Sequence, residues 1–270
     1  MSLTVRTAVA AACGALALAA PAEAQAPGKF RLNLSYEGKL LVKVLDITVS
    51  QEATDTAYSS TIRLKSSGVL SAFKKIQQNA SARGTIVDGA ARPGYFRHQN
   101  IDGKRNRKVE VRWAGGDVVT TATPAYGSMG NPPATKAQKL ESADPVTQLV
   151  RIALGDNRNQ FCTGSLKFFD GKQRYNLEFT GRTNAAPDAR EKRLGLVNPV
   201  RCRVVYREIA GFKKKPPEKR NQGLNKPITV GFAQVGPNGP WVISSLTGST
   251  PLGNATIELA SVSTSGAAPD

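Results

Sequence analysis

Apolar and polar residues alternate along most of this chain. Phe30, Leu32, Leu34 and Tyr36 alternate with polar positions, and Tyr58, Ile62 and Leu64 share one face of a run over residues 58–65. A period of two puts successive side chains on opposite faces of a strand, one of them buried. The same pattern predicts strands over residues 40–49, 83–87, 95–101, 108–113, 118–121, 200–209, 228–234, 241–246 and 255–262. Gly115-Gly116 predicts a tight hairpin, since a positive φ costs glycine little. Asp170-Gly171 predicts a second, two-residue turn, with Leu166 opposite Tyr175 and Cys162 opposite Phe179.

Two helices interrupt the strands. Residues 68–76 place Val69, Leu70, Phe73 and Ile76 on one apolar face. In the second helix Asp144 caps the start, Pro145 suits the first position and Gly155 suits the stop. Val146, Leu149, Val150, Ala153 and Leu154 form its stripe, which should lie on a sheet face. Residues 124–140 and 185–193 read as surface loops, and the small, polar residues 263–270 as a disordered tail. The expected architecture is mainly β: a strongly curved antiparallel sheet of about a dozen strands, forming an open or partly closed barrel. One or two short helices pack inside it or at its mouth. Curvature suits so many strands because it limits exposed edges.

The amino terminus reads as a cleavable export signal over residues 1–24. Arg6 supplies a basic start, Ala8 begins an apolar run too short to span a bilayer, and Pro21 ends it before Ala22-Glu23-Ala24. Cleavage after Ala24 or Ala26 fits, and residues 25–262 then form a single β domain. Cys13 lacks the larger apolar residue that a lipoprotein signal carries before its cysteine. The address implied is the periplasm. No later apolar run approaches the ~20 residues of a membrane span.

The formal charge is +17. Such a charge usually points to nucleic acid, but export leaves phospholipid headgroups, lipopolysaccharide phosphates and acidic polymers as the available polyanions. Cys162 and Cys202 are an even pair in an exported chain and read as one disulfide. Cys162 shares a face with Leu166 and Phe168. Cys202 shares one with Val204 and Tyr206, while Arg201, Arg203 and Arg207 point the other way. A catalytic cysteine would need a His base, and the chain has one His, His98, in a predicted strand where a surface or edge position is expected. One His also leaves no His-clustered metal site and no ready Ser-His-Asp triad. Asp170 reads as a turn residue. No catalytic, metal or cofactor-binding residue is assigned.

Two basic clusters remain. Lys104, Arg105, Arg107 and Lys108 follow Asp102-Gly103. Lys213, Lys214, Lys215, Lys219 and Arg220 surround Pro216-Pro217. They read either as a site for phosphate or an anionic membrane surface, at ~1 kcal/mol per basic residue, or as solvated loops. Few aromatics interleave with them, so nucleotide stacking is unsupported.

Several stretches together resemble a bacterial family, domain of unknown function 3108. They are Tyr36-Glu37-Gly38, Gly68-Val69-Leu70, Gly84, Arg92-Pro93-Gly94-Tyr95 and Asp144-Pro145. Phe169-Asp170-Gly171-Lys172-Gln173-Arg174-Tyr175 is the most specific, and the match closes with Cys202 to Tyr206 and Ile209-Ala210-Gly211-Phe212. The resemblance implies an exported envelope protein with a strongly curved antiparallel sheet, and brings no catalytic residues. The resulting expectation is a non-enzymatic envelope protein binding an anionic or amphipathic component. The alternatives are a scaffold for envelope protein partners and a hydrolase of envelope polymers.

Overall fold

The computed structural model describes residues 29–73, 75–101, 106–155, 161–213, 226–250 and 253–265. They build β1 (Phe30–Lys39), β2 (Lys43–Ala53), β3 (Ala57–Ser66), α1 (Gly68–Phe73), β4 (Gln77–Val87), β5 (Ala90–Asn100), β6 (Lys108–Ala114) and β7 (Asp117–Thr123). Then come α2 (Lys136–Leu140), α3 (Pro145–Leu154), β8 (Ser165–Phe169), β9 (Arg174–Asn184), α4 (Ala189–Arg193), β10 (Leu196–Ala210), β11 (Ile228–Val235), β12 (Trp241–Thr250) and β13 (Gly253–Ser265). The export signal read over residues 1–24, and Cys13 within it, lie outside the described residues.

The strands form one antiparallel sheet in the order β7-β6-β5-β4-β3-β2-β1-β13-β12-β11-β10-β9-β8. Every neighbouring pair except β1–β13 is consecutive in the chain. The sheet is therefore two meanders joined where the first strand meets the last. Register slips at Ser35/Tyr36, Arg83/Gly84, Arg203/Val204 and Gly231/Phe232 are the bulges that bend and twist a sheet. The sheet curls but stays open: β7 and β8 are its two edges, and the segment linking them carries α2 and α3. Ala143 pairs with the β8 edge, donating from its N to Lys167 O (3.2 Å) and accepting from Phe169 N (3.0 Å).

α3 runs through the curled sheet. Asp144 Oδ1 accepts from the amides of Val146 (2.9 Å) and Thr147 (2.8 Å), and Gly155 stops the helix at φ +70°. The single buried stripe expected of it is too narrow, because the sheet wraps round the helix. Val146, Val150, Ala153 and Leu154 join a core with Leu32, Leu34, Val49, Phe96 and Val109. Ile152 joins another with Cys202, Val204, Val230 and Phe232, and half-buried Leu149 packs against both.

Several local expectations shift. β2 begins at Lys43 rather than at residue 40, because Leu40–Val42 make the turn, Leu40 N donating to Val42 O (3.1 Å). The Asp170-Gly171 turn is longer than two residues. Asp170 Oδ1 accepts from the amides of Lys172 (2.9 Å) and Gln173 (2.7 Å), so Phe169 pairs with Arg174 and Leu166 with Leu177. Cys162 consequently lies in a turn before β8, at φ +71°, and not on a strand. α1 ends at Phe73, and the side chains of Val69 and Phe73 lie outside the described ones. The two expected loops each contain a short helix closed by a capping box, Thr135 with Gln138 and Asp188 with Glu191. β13 runs to Ser265, paired with Arg31, so residues 263–265 of the expected tail belong to a strand, and residues 266–270 lie outside the described residues.

Candidate functional site

β3–β5, the start of α3 and the β8–β9 turn enclose a cavity of about 350 Å³ at one end of the curled sheet. Ile62, Leu64, Ala80, Phe96 and Val146 give it apolar walls, and Gln78, His98, Asn100 and Asp170 add polar groups. The volume falls in the range of about 300–1,000 Å³ typical of small-molecule sites. Alternation on β3–β5 sends these side chains to the concave face, with Ile62 opposite Ala80 and Ala80 opposite His98.

His98 is therefore neither on the surface nor on an edge strand. β5 is flanked by β4 and β6, and the His98 ring lies 5.5 Å from that of Phe96. It hydrogen-bonds the backbone of Asp170, while its Nε2 is buried and has no partner among the described residues. Burial holds the imidazole below the ordinary histidine range, opposed by the nearby Asp170 carboxylate. Burial likewise holds Asp170 above the usual carboxylate range, opposed by the Gln173 and Lys172 amides and then by His98 and Lys172. Asp170 is a turn residue, as its place before Gly171 implies, and the same turn sets it against His98.

Beside this cavity Arg107 and Lys213, one residue from each basic cluster, act on Lys172. Lys172 lies next to Asp170 in the turn. Burial lowers its pKa first, then repulsion from Lys213 and from Arg107, with Asp170 opposing. Tyr126 lies among the cations: the Arg107 guanidinium carbon is 4.4 Å from its ring centroid and the Lys172 ammonium 5.0 Å. Arg107 also donates to the carbonyls of Pro124 (2.8 Å) and Ala125 (3.2 Å), so it pins this loop as well as charging the rim. Lys108, one residue on, projects from the other sheet face and pairs with Glu110 at 2.6 Å. It leaves the site, as alternation along β6 requires. Lys104, Arg105, Lys214, Lys215, Lys219 and Arg220 lie outside the described residues. Lys172 was not read as a site residue. The signal was its place after Asp-Gly, at a turn that could point into a barrel mouth.

Cys162 and Cys202 are bonded, their Cα atoms 4.9 Å apart. The bridge lies in the second core, with Val230 and Phe232, and serves packing. Among the described residues no group of His, Cys, Asp and Glu side chains gathers to hold a metal ion. No helix there is long and apolar enough to cross a membrane.

A family model described as "Protein of unknown function (DUF3108)" matches residues 31–216. No curated protein matches the chain. Among solved structures, the chain is similar to a beta-barrel-like protein of domain of unknown function DUF1849 from Brucella abortus. The identity is 11%, the TM-score is 0.45, and the match covers 89% of this chain and 98% of that one.

Proposed function

The chain belongs to the DUF3108 family, whose function is unknown, and on that premise we propose a periplasmic, non-enzymatic envelope protein that binds an anionic or amphipathic envelope component. The observation that carries this reading is the gathering of Arg107 and Lys172 on the Tyr126 ring, with Lys213 near enough to repel Lys172, beside a cavity with apolar walls. Such a pair of features suits a molecule with a charged head and an apolar body. The β1–β2 turn adds to it. The connections after β1, β3, β5 and β8 all lie at this end of the sheet, and there Leu41 is 97% exposed and Val42 53%. Exposed apolar residues at a turn, at the same sheet end as these cations, suit the interface of an anionic membrane. The described cavity wall offers His98 no serine, threonine or cysteine to activate, which favours binding over acyl transfer.

Cosedimentation with phosphatidylglycerol-containing and pure phosphatidylcholine vesicles tests this across a salt series. Wild type should bind the anionic vesicles at low salt and release them as salt screens exposed charges. Lys172→Met combined with Lys213→Met should weaken binding about 30-fold, from ~1 kcal/mol per basic residue. Failure of wild type to bind anionic vesicles at low salt, or equal binding by the double variant, rejects the reading.

A further inference from the structure

We propose that the opposite end of the sheet holds a second ligand site, for a small anionic amphiphile: one acyl or aryl body with a carboxylate or phosphate head. A groove of about 660 Å³ lies there, with Tyr58, Tyr95, Trp113, Arg83 and Arg112 in its lining. β6 starts at Lys108, beside the cationic rim, and reaches Trp113 five residues later. At about 3.3 Å per residue the two ends are roughly 17 Å apart.

Local sequence shapes the groove. The register slips between Arg83 and Gly84, where Arg83 faces Tyr95 and Gly84 faces Pro93. A Cβ on Gly84 would fall 2.0 Å from Arg92 O and 2.8 Å from Tyr58 Oη, so only glycine lets β3 and β5 close in at this bulge. Tyr95 then sits in register between Arg83 and Arg112. Their guanidinium carbons lie 5.1 and 5.4 Å from its ring centroid. Stacking on the ring orders both groups while leaving N–H edges for an acceptor.

Each nearby carboxylate has a cation partner other than Arg83 and Arg112. Glu52, in the groove lining, pairs with Arg31 at 2.9 Å, and Glu110 pairs with Lys108 at 2.6 Å while also accepting from the Tyr95 hydroxyl. Trp113 Nε1 is buried and has no hydrogen-bond partner among the described residues. Two guanidinium groups call for an acceptor-rich, negatively charged head. The Tyr58, Tyr95 and Trp113 rings, with Ala57 and Ala114, call for an apolar body. This site is independent of the cationic rim and of the function proposed for it.

Trp113 is also the reporter. The chain has two tryptophans, so Trp241→Phe isolates it. If that variant folds poorly, the difference between wild type and Trp113→Phe gives the same signal. Dodecyl phosphate, below its micellar concentration, should shift Trp113 emission saturably. Dodecyl maltoside and dodecyltrimethylammonium should not. Arg83→Met and Arg112→Met should each weaken dodecyl phosphate binding about tenfold, while Lys172→Met with Lys213→Met should leave it unchanged. No saturable shift, an equal response to the neutral or cationic amphiphile, or indifference to both arginine changes overturns the proposal. Saturation by inorganic phosphate at the same concentration also overturns it, by showing a bare anion site.

Discussion

Gly171, at the tip of the β8–β9 turn, rests on Val109 of β6. A Cβ at Gly171 would lie 2.6 Å from Val109 Cγ1 and 3.0 Å from Val111 Cγ2, and the backbone there has φ +98°. The sheet edges β7 and β8 do not pair, yet the turn beyond β8 packs on the inner side chains of β6. That contact draws the two edge regions together and sets Asp170 and Lys172 at the cavity mouth. Gly171→Ala should meet both left-handed strain, about 1–3 kcal/mol, and overpacking, again about 1–3 kcal/mol. Gly115→Ala is the control: its φ is +57°, but nothing lies within 4 Å of the added atom. Denaturant midpoints should show Gly171→Ala losing clearly more stability. Equal losses would mean that the turn does not bear on β6.

Asp144 is fully buried at the start of α3. Thr147 donates its hydroxyl to Asp144 Oδ2, so Tyr58, 2.7 Å from Thr147 Oγ1, must donate in turn. Burial pushes the Asp144 carboxyl up to about 6 against these hydrogen bonds, from an ordinary value of 3.8. The folded state therefore holds this proton more tightly than the unfolded state. The resulting stability is present at low pH and is lost as pH rises from about 4 to about 6. Asp144→Asn keeps a capping oxygen and cannot ionise. Relative to wild type it should gain stability on the order of 3 kcal/mol between pH 4 and pH 7. Melting temperatures of both proteins at intervals across that range are the measurement, and a constant difference would show that Asp144 titrates normally.

Much of this fold was legible because a half-buried strand and a capped helix both write themselves locally. Phe30, Leu32, Leu34 and Tyr36 alternate because β1 has one buried face, and Asp144-Pro145 with Gly155 marked both ends of α3. The Asp170 turn is not legible in the same way, because its length depends on where one carboxylate oxygen points, which spacing does not reveal. The interior place of His98 is hidden in the sequence, because one polar residue in an alternating run says nothing of which face is concave. The site was harder for the same reason. Arg107, Lys172 and Lys213 come from three connections, and only sheet curvature makes them neighbours. The Arg83–Tyr95–Arg112 row needs a register that a bulge had shifted.

Val150 and Leu149 separate an interior helix from one lying on a surface. Val150 is fully buried in one core, and Leu149 is half-buried between two. Val150→Asp should cost several kcal/mol, because an unpaired charge is forced into apolar packing. Leu149→Asp should cost less, since part of that side chain reaches solvent. Thermal melts of the two variants give the order, and the reverse order would contradict the packing of α3.

The bridge between Cys162 and Cys202 closes a loop with a sequence separation of 40. In the chain-entropy account such a loop stabilises by about 4 kcal/mol, through restriction of the unfolded chain. Cys162→Ser with Cys202→Ser should therefore lower the melting temperature markedly. Unreduced wild type should resist until reductant is added. Thiol counting on denatured, unreduced protein checks the pairing and the export signal together. Cys13 is the third cysteine of the chain. A protein that has lost residues 1–24 should show no free thiol, and one that keeps them should show a single one. Two or more thiols in the shortened protein would mean that Cys162 and Cys202 are reduced in the folded molecule.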